Sequence, residues 1–154
     1  MSTHYIFRRR PLLALPILLL VSTPLAAQSP ALNAGRGDLA VHGYDVVAYA
    51  TDGVAVRGRS EHEFRWNGVV WRFATAAHKD QFEKDPARYA PQFGGYCAWA
   101  VSRGYTADID PEAWKIVDGK LYLNYSKRVQ RMWEQDVTGN IAKGVANWPG
   151  VLGK

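Results

Sequence analysis

The sequence predicts an α+β fold: a small single domain of antiparallel β-hairpins covered by short helices. Two observations lead to this prediction. Asn67-Gly68 and Asp118-Gly119 each join two apolar segments, and such dipeptides favour two-residue hairpin turns because both positions tolerate positive φ. A segment with the apolar spacing of a helix follows each hairpin. A chain of this length is expected to form one domain.

The first hairpin lies in the segment "HEFRWNGVVWRF". A two-residue turn at Asn67-Gly68 fixes the register, and strand alternation then places one set of side chains on a single face. The expected facing pairs on this face are Trp66 with Val69, Phe64 with Trp71, and His62 with Phe73. The hairpin is therefore expected to have an aromatic inner face that carries one histidine.

The segment "TAAHKDQFEKDPARY" predicts a helix directly after this hairpin. Thr75 is a suitable N-cap, and the Asp85-Pro86 pair ends the helix and starts another turn. His78 and Phe82 are four residues apart and share a face. Because Phe82 is expected to point inward, we expect His78 to point toward the hairpin and to lie near His62.

Two shorter segments and a second hairpin complete the middle of the chain. "DVVAYA" predicts a short strand, with a helical turn as the alternative. The glycine pair in "GGYCAWAVS" indicates a tight approach before a short helix or strand. The hairpin in "WKIVDGKLYLNY" is expected to place four apolar side chains on one face: Trp114, Ile116, Leu121 and Leu123.

Two helices are predicted near the C-terminus. Ser126 is a suitable N-cap for the amphipathic segment "SKRVQRMWEQDV". Its expected inward residues are Val129, Met132 and Trp133. The last helix is expected to place Ile141, Val145 and Trp148 on one side.

The N-terminal segment predicts export. Arg8–Arg10 precede an apolar stretch from Pro11 to Val21, and the small residues that follow end in Ala26-Ala27, the order found in secretory signal peptides. The apolar stretch is shorter than the roughly 20 residues needed to span a bilayer. We therefore expect a signal peptide at residues 1–27, a flexible lead-in at 28–37 and the domain at 38–152. The mature protein would carry no membrane span, and in a Gram-negative bacterium it would be periplasmic.

The charge of the mature chain argues against nucleic acid as a partner. All 14 acidic residues lie after Ala27, whereas three of the 19 basic residues lie before it. Cleavage would leave 16 basic and 14 acidic residues, a net charge of +2. No basic stripe of the kind used to bind phosphate backbones remains.

Cys97 is the only cysteine, so the chain cannot form a disulfide with itself. A single thiol in an exported protein suggests a free thiol, an intermolecular bridge or a metal ligand; a small buried core residue is the simpler interpretation. A catalytic role would require a nearby histidine, exposure and a lowered pKa of the thiol. Phosphate-binding glycine loops and hydrolase or zinc-protease motifs are absent from the sequence, so the sequence favours a non-catalytic role.

Three histidines accompany this thiol in the mature chain: His42, His62 and His78. A thiolate with imidazoles suits copper(I) or zinc. No C-x-x-C pair or closely spaced histidine pair supports a metal site locally. Taken singly, each histidine favours a role other than metal binding: His62 as a core imidazole bonded to backbone, His78 as a partly exposed helix residue and His42 as a loop residue.

Three stretches together resemble the YHS domain family, in particular its stand-alone exported bacterial members. They are "VHGYDVVAY", "WNGVVWRFATAAHKDQFEKDPARYAPQFGGYCAWAV" and "DPEAWKIVDGKLYLNYSKRVQRMWEQDVTGNIAKGVANWP", and they cover nearly all of the mature chain. The resemblance implies a YHS/TRASH-like core and an association with heavy-metal sensing and transport.

The chain departs from the metal-binding members of that family. Those members carry one cysteine directly after the aromatic strand and another four residues later, where this chain has Ala74 and His78. The family's early cysteine is also missing, and "HGYD" stands in that region. His62 matches a histidine often found shortly before the hairpin strand. The family's cysteine site therefore cannot be carried over intact.

The first functional hypothesis is a small metal-binding protein that handles or senses copper, with zinc as the less favoured ion. Its expected ligands are Cys97, His78, His62 and His42, and its partner would be a protein of a metal-handling system. The alternative is a metal-free module that binds a small ligand or a protein through an aromatic pocket. Residues expected to support the metal site or line the pocket are Tyr44, Asp45, Tyr96 and Trp99.

Overall fold

A computed structural model describes residues 31–153 and confirms the α+β class. Within this part of the chain, two antiparallel two-stranded sheets are combined with six α-helices. The strands are β1 (Arg59–Trp66), β2 (Val69–Phe73), β3 (Asp110–Val117) and β4 (Lys120–Asn124). The helices are α1 (Val46–Thr51), α2 (Ala76–Lys84), α3 (Pro86–Tyr89), α4 (Ala98–Ser102), α5 (Lys127–Glu134) and α6 (Val137–Asn147). Short 3₁₀ segments lie at Arg36–Asp38, Val41–Gly43, Gln92–Gly95 and Gly150–Gly153.

Both predicted hairpin turns are confirmed. Asn67 and Gly68 have φ of 49° and 81°, and Asp118 and Gly119 have φ of 50° and 74°. Positive φ at both central residues is the type I′ geometry, whose twist matches that of the flanking strands. In the second hairpin the two predicted apolar pairs face each other: Trp114 with Leu123 and Ile116 with Leu121.

The register of the first hairpin agrees with the prediction near the turn and departs from it further away. Trp66 faces Val69 and Phe64 faces Trp71, as expected. The partner of Phe73, however, is Arg59, because the register shifts between Arg59 and Glu63. The expected pairing of His62 with Phe73 is therefore wrong, since an irregularity adds residues to β1 that a simple alternation cannot anticipate.

The segment "DVVAYA" forms the helix α1, so the predicted strand is wrong and the alternative is right. The reason is Asp45, whose carboxylate Oδ1 accepts hydrogen bonds from the backbone N–H groups of Val47 and Ala48 at 2.9 and 3.2 Å. An aspartate that caps two backbone donors begins a helix even in a segment rich in β-branched residues.

The caps of the other helices follow the prediction. Thr75 accepts from the N–H of His78 at the start of α2, and Ser126 accepts from the N–H of Val129 at the start of α5. Asp85 ends α2 and caps α3, which begins at Pro86.

Two residues expected to point inward are exposed. Met132 lies on the outer side of α5, because the inward stripe runs through Val129 and Trp133. Val145 is 63% exposed, and its neighbour Gly144 is buried instead. A Cβ at Gly144 would lie 2.5 Å from Phe93 Cζ. Helix α6 thus approaches Phe93 so closely that only glycine fits there.

The part of the predicted lead-in that the structure describes is tied to the domain. The N–H of Asn33 donates to the carbonyl of Gly94 at 2.8 Å. Its side-chain amide donates to the carbonyl of Gly95 at 3.2 Å and to Asp108 Oδ1 at 3.0 Å. The predicted signal peptide at residues 1–27 lies outside the described residues. Over residues 31–153, no helix has the length and hydrophobicity to cross a membrane.

Candidate functional site

Cys97 is the N-cap of α4 and is 1% exposed. Its Sγ accepts a hydrogen bond from the backbone N–H of Tyr125 at 3.3 Å and lies 3.8 Å from Asn124 Oδ1. The thiol therefore sits between the start of α4 and the end of β4. Cys97 is unpaired, as the sequence requires.

Burial raises the pKa of the Cys97 thiol, and hydrogen bonds from the backbone of Ala100, Tyr125 and Trp99 oppose this only in part. The neutral thiol is thus the form present at neutral pH. A reactive cysteine is exposed and has a lowered pKa. Cys97 has neither property, so the structure gives no support to a thiol enzyme.

A cavity of about 270 Å³ opens beside Cys97. Aromatic and small apolar side chains form its walls: Cys97, Trp99, Ala100, Tyr105, Ala107, Tyr125 and Val129. Tyr105 and Tyr125 are 51% and 60% exposed, so both rings are accessible from solvent at the cavity. The guanidinium of Arg103 lies 4.0 Å from the centre of the Trp99 ring. The site thus combines a buried thiol, two exposed phenol rings and an indole.

Asn124 lies next to this cavity and is fully buried. Its Oδ1 accepts from the N–H of Trp99 at 3.2 Å. Its Nδ2 makes no hydrogen bond with any residue that the structure describes. Buried donors are nearly always bonded, so this amide is an unused donor beside two of the residues that line the cavity.

His78 belongs to a different cluster, centred on Asp45. Its Nδ1 lies 2.7 Å from Asp45 Oδ2, and the N–H of Ala74 donates to the same oxygen at 2.8 Å. His78 Nε2 lies 3.7 Å from Asp52 Oδ2. Asp45 is fully buried. The imidazole of His78 is thus directed to the carboxylate that caps α1, and the same carboxylate bonds the backbone at the end of β2.

The other two histidines lie in further, separate surroundings. His42 Nε2 lies 2.9 Å from Asp108 Oδ1. His62 is half-buried on β1, whereas the Nδ1 atom of His78 contacts Asp45. Across residues 31–153, no group of three His, Cys, Asp or Glu side chains comes together in a way that could hold a metal ion. The four-ligand copper site stays a prediction from the sequence.

The aromatic residues that were expected to support the metal site or line the pocket also lie in separate surroundings. Trp99 lines the cavity with Cys97. Tyr44 instead stacks with Arg57, whose guanidinium carbon lies 4.9 Å from the ring centre. Tyr96 is buried against Trp148, with ring centres 6.2 Å apart.

Sequence reasoning missed Tyr105, Tyr125 and Asn124. Each lies at the end of an element or in a loop, where neither the helical nor the strand period applies. An aromatic residue directly after a glycine and outside any helical or strand period, as at Gly104-Tyr105, was the available signal.

Comparisons of the chain with models of known protein families, with curated proteins and with solved structures found no match.

Proposed function

We propose that this protein is a binding module that holds a small aromatic ligand in the cavity beside Cys97, without a metal ion. The observation that carries the proposal is the wall of this cavity, in which Trp99, Tyr105 and Tyr125 surround small apolar residues. Ligand sites are concave and mostly apolar, with a few placed polar groups. The cavity volume suits a ligand of one or two fused rings.

Two features support an aromatic ligand. Tyr105 and Tyr125 expose ring faces that a planar ligand can contact. The lining carries no charged side chain, and the thiol of Cys97 is neutral, so the cavity favours an uncharged ligand.

The test is ligand-observed NMR with indole as the probe. Saturation transfer to indole is expected with the wild-type protein. Tyr125→Ala should weaken binding by roughly three- to tenfold, the contribution of one aromatic pair. Val54→Ala is the matched control, because Val54 is also an exposed apolar residue but does not line the cavity. No transfer, or equal transfer with both variants, would exclude the proposal.

Copper binding is the second candidate, and one observation favours it: the soft sulfur of Cys97 lines a cavity that an ion could enter. Imidazole ligands would have to be released from Asp45 or Asp108 first. Anaerobic copper(I) titration against a chromophoric chelator tests this candidate. Tight binding lost in both Cys97→Ser and His78→Ala would establish a shared site; no competition with the chelator would exclude it.

We also infer that the protein is exported and related to the YHS family, on the sequence features given above. Export is tested by N-terminal sequencing of the protein from its native host. A mature N-terminus at Gln28 is expected, and an intact N-terminus at Met1 would contradict it.

A further inference from the structure

A second cavity, of about 410 Å³, lies where the N-terminal segment meets the loop before β3. Its lining combines three side chains that carry or can carry charge with one apolar side chain: Arg36, His42, Asp108 and Leu39, together with Gly35. The cavity beside Cys97 has no charged lining residue. The two cavities therefore differ in the chemistry that they can bind.

Asp108 is fixed by bonds to one of its two oxygens. Oδ1 accepts from the amide of Asn33 at 3.0 Å and from the N–H of Ile109 at 2.8 Å, and it lies 2.9 Å from His42 Nε2. Burial opposes ionisation, but these hydrogen bonds outweigh it and lower the pKa of Asp108. The group is thus an anion at neutral pH. These three contacts all end on Oδ1, and Oδ2 is therefore the oxygen that would accept a hydrogen bond from a ligand.

Arg36 supplies the opposite charge. It is exposed at the cavity and forms no ion pair or hydrogen bond with the residues of the described range. A free guanidinium binds a carboxylate through two parallel hydrogen bonds. The cavity therefore presents one cation and one anion, each with unused bonding capacity.

The backbone that carries His42 is held in an unfavourable conformation. Val41 and His42 have φ of 48° and 52°, and a β-branched residue is rarely found there. Backbone hydrogen bonds on both sides of Val41 and His42 hold this conformation. The N–H of Ala40 donates to the carbonyl of Val70 at 2.9 Å, and the N–H of Tyr44 donates to the carbonyl of Val41 at 3.0 Å. Strained residues cluster at ligand sites, where the surrounding structure holds them in place.

We propose that this cavity binds a free aliphatic α-amino acid, with its carboxylate on Arg36, its ammonium group on Asp108 Oδ2 and its side chain against Leu39. An amino acid carries a cation and an anion on neighbouring atoms, which matches the two unused groups of the cavity. The proposal is independent of the cavity beside Cys97, because the two share no lining residue.

Ligand-observed NMR with L-valine tests this assignment. Isovalerate lacks the ammonium group of L-valine and isobutylamine lacks its carboxylate. Each is expected to bind at least about tenfold more weakly than L-valine, because each leaves one charged group of the cavity without its partner. Binding of either compound as tight as that of L-valine would overturn the proposal.

Three variants complete the experiment. Arg36→Gln and Asp108→Asn should each weaken L-valine binding by at least about tenfold. Arg59→Gln is the control, since Arg59 is also exposed but does not line the cavity. Arg36 makes no contact that supports the fold, so Arg36→Gln is expected to unfold at the wild-type temperature. Wild-type affinity in Arg36→Gln, or no L-valine binding up to about 10 mM, would overturn the proposal.

Discussion

Replacing Asp45 is expected to destabilise the protein more than any other single carboxylate change in the domain. Asp45 is fully buried and joins three elements: it caps α1, accepts the N–H of Ala74 after β2, and contacts His78 of α2. Four hydrogen bonds between 2.7 and 3.2 Å end on its two oxygens. Removing the carboxylate therefore leaves several buried donors without an acceptor.

The magnitude follows from these contacts. In Asp45→Ala the lost N-cap costs about 1 kcal/mol, and the unsatisfied N–H of Ala74 costs about 1–3 kcal/mol. The side chain of His78 is 12% exposed and keeps some contact with solvent, which limits the cost of its lost hydrogen bond to about 1 kcal/mol. The free energy of unfolding should thus fall by about 3–5 kcal/mol, a large part of the roughly 5–15 kcal/mol of a small domain. In Asp45→Asn one oxygen is kept, so a loss of about 2 kcal/mol is expected.

Urea denaturation followed by circular dichroism measures these differences. Asp52→Asn is the control, because Asp52 is half exposed and its oxygen is 3.7 Å from His78; it should change stability by less than about 0.5 kcal/mol. If the free energy of unfolding of Asp45→Asn lies within about 0.5 kcal/mol of the wild-type value, the hydrogen bonds of Asp45 do not stabilise the fold to the extent expected.

Three further predictions concern buried groups. Gly144→Ala should lower the free energy of unfolding by about 1 kcal/mol, because overpacking against Phe93 costs about 1–3 kcal/mol and exceeds the gain in helix propensity; equal or higher stability in urea would contradict this. Burial, followed by the charge of Glu112, raises the pKa of Tyr49. The stability that the protonated phenol contributes is therefore complete below about pH 10 and is lost as the pH rises further. Tyr49→Phe should reduce the fall in melting temperature at alkaline pH. Native Cys97 should react with N-ethylmaleimide at least about tenfold more slowly than the urea-unfolded chain; equal rates would show that the thiol is accessible.

Short-range features of the fold could be read from the sequence. The turns at Asn67-Gly68 and Asp118-Gly119, and the caps at Thr75 and Ser126, depend on residues within four positions of one another. Their backbone preferences are local, so the order of residues is enough to predict them.

The candidate sites depend on contacts that no local pattern contains. His78 bonds to Asp45, 33 positions earlier, and His42 bonds to Asp108, 66 positions later. The sequence predicts which face of its helix His78 lies on. It does not predict which neighbouring residue covers that face, because Asp45 is distant in the chain. Asp45 likewise had to be recognised as a cap before "DVVAYA" could be assigned to a helix.

The bonds of Asn33 have a consequence for the order of folding. Its side chain bonds to residues 62 and 75 positions further along the chain, and contacts of such high sequence separation form late because they close long loops. A ribosome that adds about 5–20 residues per second reaches Asp108 roughly 4 to 15 seconds after Asn33. During this interval the side chain of Asn33 has no Asp108 carboxylate to bond to, so residues 31–35 are expected to be among the last parts of the domain to be fixed in place.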